Sequence, residues 1–324
     1  MKAALCKTLD GPEQIIIEDI PEPTPKAGQV LVRVKAVGLN FADTLMTRGK
    51  YQFKPDLPFS PGAEIAGVVE AVGSGVSQNL VGQRVMAYVN WGGAREKIVV
   101  DAGSLVPIPD DVTDTVAAGL SVTYGTAIHG LMDRGRLAEN ESVVVTGAAG
   151  GAGQAAIEIA KLRGARVIAV ASSPEKLDIA KSCGANSGIL FPGADLKAAV
   201  REQTGGKGAD VVYDCIGGDA AEPLVRALAW KGRYLVVGFA AGDIPKIPLN
   251  LLLLRGASLI GVFWGEAVRR DPAGQAANMR QVLGWAEAGK LRPRLHATYP
   301  LEHIRDAIGV LDRREAQGKV ILTL

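Results

Sequence analysis

Residues 142–153, SVVVTGAAGGAG, carry an apolar run straight into a glycine-rich turn. Val143 to Val145 have the unbroken, β-branched character of an inner strand. Gly150 and Gly153 remove the side chains that would keep a phosphate from the backbone N–H groups at the start of a following helix. Against the GxGxxG fingerprint the first position is Ala148, so the match is AxGxxG. A strand before the loop and good helix formers over residues 153–163 supply the context in which such a turn holds a dinucleotide pyrophosphate. Ala149, Gly150, Gly151, Ala152 and Gly153 are the phosphate-binding candidates.

The next strand, RVIAVA at 166–171, decides which nucleotide is expected. NAD-binding units end this strand in Asp or Glu, about twenty residues past the loop, where the carboxylate takes the ribose hydroxyls. Here it ends in Ala171, Ser172 and Ser173, with Lys176 close behind. No carboxylate at the strand end repels a 2′-phosphate, two hydroxyls can donate to it, and one ammonium can pair with it, so NADPH is expected over NADH. Ser173 followed by Pro174 also reads as a helix N-cap, a role compatible with phosphate contact.

The elements that must position these residues change character along the chain. Before the loop, Val30, Val32 and Val34 alternate with Leu31, Arg33 and Lys35. Further short strands read at 65–72, 84–88 and 97–100, broken by Gly and Pro, which implies an antiparallel, barrel-like domain. From about Thr115 strand and helix alternate, as in a doubly wound parallel sheet. Helices at 275–288 and 301–313 and a last strand at 320–324 follow, and this tail is expected to return to the first domain. Among the 324 residues, 36 Lys and Arg stand against 34 Asp and Glu, a net +2 that leaves no nucleic-acid footprint. The N-terminal residues lack a signal peptide's apolar region, the leucines near 249 are interrupted by Asn250 and Arg255, and the three cysteines form no CxxC pair. A soluble, reduced, cytoplasmic protein with no membrane partner is expected.

Five further segments, in order, carry a family resemblance: GLNFADTLMTRGKY at 38–51, PGAEIAG at 61–67, SVTYGTA at 121–127, the loop at 147–153, and NLLLLRGASLIGVFWG at 250–265. Over its whole length the chain resembles a zinc-free medium-chain dehydrogenase/reductase of the quinone oxidoreductase, zeta-crystallin-like type. The resemblance implies an α/β protein with a GroES-like, β-barrel-like catalytic domain at 1–118, completed by 266–324, and a Rossmann NADP-binding domain at 119–265. It also implies an active site in the cleft between them. Catalytic candidates by similarity are Asn40 and Asp43, at the nicotinamide end, and Tyr51 at the mouth. Asn40 and Asp43 read equally as helix-capping residues, and Tyr51 as a proton donor or an aromatic lid. Thr123 lies where the family contacts the nicotinamide, and Phe239 where its loop reaches the carboxamide. Phe263 and Trp264 read as walls for a flat acceptor or as core or subunit contacts. Lys319 reads as a residue reaching the cofactor or as a solvated charge. Phe191 stands where relatives often carry a Tyr for the adenosine phosphate. The strand-like edge near 256–265 implies a homodimer.

Zinc-dependent relatives place a Cys where this chain has Asn40 and a His where it has Ala63, just before Glu64, and their four-cysteine lobe has no counterpart. Three scattered Cys and three His at 129, 296 and 303 offer no ligand spacing either, so no metal is expected. A metal-free site suits an acceptor that delocalises its own developing charge, such as a quinone. The alternatives are an enone or enoyl reductase on the same fold, and an NADPH-binding redox-sensing or structural protein with little turnover.

Overall fold

The computed structural model describes residues 1–324, which divide into two units, Met1–Val122 with Gly265–Leu324, and Thr123–Trp264. In the first, β1 (Lys2–Leu5) and β2 (Ile16–Asp19) form a two-stranded antiparallel ribbon. The larger sheet is built from β3 (Gln29–Leu39), β4 (Glu64–Val72), β5 (Arg84–Tyr88), β6 (Lys97–Asp101) and β7 (Val106–Pro107), all antiparallel to their neighbours. Val30, Val32 and Val34 of β3 point into the core while Arg33 and Lys35 face solvent, as the period of two requires. The first unit runs to Val122, whose N–H donates to the carboxylate of Glu64 on β4.

The second unit holds β8 (Ser142–Thr146), β9 (Arg166–Ala171), β10 (Ser187–Leu190), β11 (Ala209–Asp214), β12 (Leu228–Val236) and β13 (Ser258–Gly261). Their order is β10-β9-β8-β11-β12-β13 with every pair parallel, the doubly wound arrangement whose strand order reverses beside the first strand. β8 lies inside the sheet and is fully buried on both faces, which is why its sequence shows no alternation. β13 is an edge strand; near it in the chain Leu249 is 74% and Leu253 80% exposed.

The tail returns to the first unit. β14 (Leu295–Pro300) pairs parallel with β15 (Lys319–Thr323), and β15 pairs antiparallel with β3, Val320 opposite Leu39. Helix Ile304–Asp312 puts Ile304 and Ile308 among Val34, Leu39 and Ile65 in one core. Each such aliphatic side chain contributes roughly 1.5–3 kcal/mol on burial. No helix is long and apolar enough to cross a membrane.

Candidate active site

In the first unit the site begins where β3 runs out. Asn40 is the N-cap of helix Phe41–Met46, and the Asp43 carboxylate reaches back to accept from the Asn40 N–H at 2.8 Å. Its other oxygen accepts from the Gly62 N–H at 2.9 Å, so Asp43 fastens the loop ahead of β4 as well as the helix start. Burial pushes the Asp43 carboxyl up to about 6. Those two backbone donors and the Lys319 ammonium restrain the rise, and the neighbouring Glu64 charge adds to it. With both oxygens engaged and almost no exposed surface, Asp43 has the capping role that its residue type allows, and its carboxylate acts through the backbone it holds.

Next to it is a buried ion pair. Because Val320 lies opposite Leu39, residue 319 arrives beside Asn40. Lys319 Nζ donates to Leu39 O at 3.0 Å, Asn40 Oδ1 at 2.7 Å and Glu64 Oε1 at 2.6 Å. Asn40 Nδ2 donates to the same Glu64 oxygen at 2.9 Å, and Glu64 Oε2 accepts the Val122 N–H at 2.8 Å. Lys319 is 4% exposed and Glu64 0%. A Cβ on Gly38 would lie 2.6 Å from Glu64 Oε1 and 2.2 Å from Ala118 O, so only glycine leaves room for this carboxylate. The structure corrects the solvated reading of Lys319: it is buried, and its ammonium donates to three oxygens inside the cluster. Glu64 is a site residue that the sequence reading missed; its signal is a lone acid opening the otherwise apolar run EIAGVV.

The donor set does not fit zinc. An ammonium already sits against the carboxylate, the residues around it supply an amide and a backbone carbonyl, and Ala63 carries no donor at all. No group of three or more His, Cys, Asp or Glu side chains in the chain is placed to hold a metal ion.

Tyr51 packs half-buried against this unit's core, edge-on to Phe53 with ring centres 6.0 Å apart. Burial raises the pKa of its phenol and the Asp43 charge adds to the rise, which weakens it as an acid and leaves it a hydrogen-bond donor.

In the second unit the loop between β8 and helix Gly151–Leu162 fits a nucleotide phosphate. Gly147 turns at φ +60°, and a Cβ on Gly153 would stand 2.3 Å from Gly147 O and 2.7 Å from Ala148 Cα. No side chain caps this helix at Gly150, so its first N–H groups, at Gly151, Ala152 and Gly153, point outward for an anion, with Ala149 and Gly150 forming the turn before them. Beneath the loop is a buried network that the sequence reading did not find. Thr146 Oγ1 donates to Asp214 Oδ1 at 2.5 Å, the Tyr234 hydroxyl donates to Asp214 Oδ2, and the Gly217 N–H donates to both oxygens. It ties together the carboxyl ends of β8, β11 and β12, where doubly wound sheets bind their ligands.

At the end of β9, Ser173 caps helix Pro174–Ser182, accepting from the Lys176 N–H at 3.3 Å, while Lys176 Nζ donates to Ser172 Oγ at 3.3 Å. The hydroxyl and the ammonium expected to read a 2′-phosphate thus stand together, and no carboxylate closes the strand. Thr123 is buried near the start of helix Ser121–Ile128, Phe239 is half-buried beside Gly217, and Phe263 is exposed. Trp264 is a core residue: a Cβ on Gly125 would come within 2.7 Å of its indole.

A family model described as the alcohol dehydrogenase GroES-like domain matches residues 26–110, and one described as zinc-binding dehydrogenase matches 151–284. The chain belongs to the medium-chain dehydrogenase/reductase family, in its quinone oxidoreductase branch. It is 40% identical to quinone oxidoreductase-like protein 2 of Rattus norvegicus, over all of this chain and 92% of the relative. It is 31% identical to quinone oxidoreductase of the same species, over 100% and 98%. The solved quinone oxidoreductase of Thermus thermophilus, also described in complex with NADPH, superimposes at a TM-score of 0.85 with 34% identity, each chain covered in full.

Proposed function

We propose that this oxidoreductase is an NADPH-dependent quinone reductase that works without a metal. The observation that carries the reading is the Asn40–Glu64–Lys319 cluster, in which an ammonium already neutralises the buried carboxylate and leaves no seat for a dication. With no Lewis acid to polarise an alcohol or a simple carbonyl, the acceptor has to spread its own developing charge, and a quinone does so. The names of the relatives, and the NADPH complex of one of them, support the same reading.

NADPH, when bound, supplies a hydride from its nicotinamide. The quinone takes that hydride and one proton from water, and leaves as the hydroquinone. The chain's part is to bind and orient. The N–H groups at the start of helix Gly151–Leu162 hold the pyrophosphate, Ser172 and Lys176 hold the 2′-phosphate, Thr123, Phe239 and Phe263 line the nicotinamide end, and Asn40 and Tyr51 donate hydrogen bonds.

The test is loss of NADPH absorbance with 1,4-benzoquinone, with NADH and a simple enone as controls. Rapid oxidation of NADPH by the quinone, slower oxidation of NADH, and a Lys176→Glu variant with that nucleotide preference reversed are expected. Oxidation by the enone alone would replace the acceptor class, and tighter binding of NADH than of NADPH by the parent protein would refute the 2′-phosphate assignment.

A second copy of this chain is the proposed neighbour of the open β13 edge and its exposed leucines, since an uncovered apolar edge invites pairing. Light scattering at micromolar concentration is expected to give twice the monomer mass; a monomer there would remove the proposal.

A further inference from the structure

The amide of Asn40 is gripped by two groups of opposite and fixed character. Lys319 Nζ has hydrogens and no lone pair, so the atom facing it at 2.7 Å is the amide oxygen. The Glu64 carboxylate has lone pairs and no hydrogen, so the atom facing it at 2.9 Å is the amide nitrogen. An asparagine amide can ordinarily flip and offer either end. Here the flip would set N–H against an ammonium and oxygen against a carboxylate, both of them on almost fully buried side chains. The oxygen end faces the ammonium, and on the nitrogen end of the half-buried side chain the second hydrogen on Nδ2 is left over; that end can only donate.

We propose that Lys319 and Glu64 are positioning residues that lock Asn40 as a one-way donor, whose spare N–H binds the acceptor oxygen that gains charge as the hydride arrives. The role of that oxygen rests on the quinone-reductase reading above; the lock itself does not. A donor fixed before the reaction needs no reorganisation when the electron pair moves onto oxygen, and such donors act mainly on the transition state. Lys319 acts on the acceptor through the hydrogen bond that orients Asn40. The lock also explains why the last strand of the sheet brings a buried lysine to the end of β3, where an apolar residue would pack without desolvating a charge.

The experiment uses the full chain and a Lys319→Met/Glu64→Gln variant. Replacing both partners avoids stranding one buried charge; the Gln carbonyl oxygen is expected to keep the Val122 N–H, which turns its NH2 toward Asn40, and Met is at most a weak acceptor, so the Asn40 nitrogen is no longer held toward residue 64. Across a series of ring-substituted quinones the variant is expected to lose about a hundredfold in kcat on electron-rich members, and under about tenfold on electron-poor ones that carry their own charge, with the Kd for NADPH within about twofold. A loss of the same size for every quinone, or none, would overturn the catalytic part. The lock is read separately, without substrate, from the Asn40 side-chain amide in nitrogen-15 spectra. In the parent protein the Nδ2 hydrogen bound to Glu64 is expected to exchange with water slowly and its partner quickly, and in the variant this difference collapses. Equal exchange in the parent protein would overturn the lock. Should the parent protein reduce no quinone, the proposed function and the acceptor role fall together, and the amide spectra still decide the lock.

Discussion

Gly153→Val is expected to remove nucleotide binding and to lower the melting temperature together, whereas Gly150→Ala is expected to fold as the parent protein does. The difference lies in what a new side chain meets. At Gly153 a Cβ would stand 2.3 Å from Gly147 O and 2.7 Å from Ala148 Cα, both backbone atoms of the turn that has to cradle phosphate. They cannot retreat without opening that turn, because Gly147 is already in the left-handed region and its carbonyl accepts the Gly150 N–H. Overpacking of this kind costs about 1–3 kcal/mol, and a misplacement near 1 Å of the groups that hold a ligand costs about a hundredfold in their function. At Gly150 the nearest atom would be Gly147 O at 3.4 Å, an ordinary contact. Fluorescence titration with NADPH and a thermal melt check the pair; Gly153→Val binding within threefold of the parent protein would sink the prediction.

Glu64→Leu is expected to cost more than any single aliphatic truncation in the first unit's core. The substitution leaves Lys319 buried with its ammonium facing a hydrocarbon, and breaking a buried pair by removing one partner costs about 3–5 kcal/mol. For a unit of this size each kcal/mol moves the melting temperature by roughly 2–4 °C, so a fall of about 6–20 °C is expected. The Val122 N–H loses its acceptor too, at the point where the chain leaves the unit. Lys319→Met/Glu64→Gln removes both charges and is expected to recover most of this loss. Calorimetry decides it: a Glu64→Leu melt within 2 °C of the parent protein would show that the ion pair stabilises nothing.

Those two positions mark how far local reading of the sequence reaches. The nucleotide unit is written in short-range signals: an apolar strand, a glycine turn, and Ser173 before Pro174, each within a few residues of the feature it produces. The return of the tail is legible as well, because an amphipathic helix over 301–313 and an apolar strand after it require a surface to cover. The chemistry of the first unit is not local. Glu64 and Lys319 are 255 residues apart, and a lysine ahead of a strand looks like a solvated charge until that strand is seated beside β3. Thr146 and Asp214, 68 residues apart, look like two strand-end polar residues until parallel pairing sets them side by side. Trp264 stays open in the sequence for the opposite reason, since an aromatic residue in an apolar run carries no sign of whether the gap it fills is a ligand site or the space over Gly125; the core reading is the one the structure bears out.

The place of β15 has a consequence for biosynthesis. It lies between β14 and β3, so the sheet begun by β3 and β4 stays open along the end of β3 until β15 has been made. The segment Thr123–Trp264 is continuous, and its six parallel strands can assemble while synthesis is still under way. Residues Met1–Val122 wait far longer, with one edge of β3 unpaired over Ala36–Leu39 and the Glu64 carboxylate without its counter-ion. A nonsense codon at position 319 would strip the sheet of an inner strand and the buried acid of its partner at one stroke, so a lesion at that codon strikes a sheet begun far upstream of it.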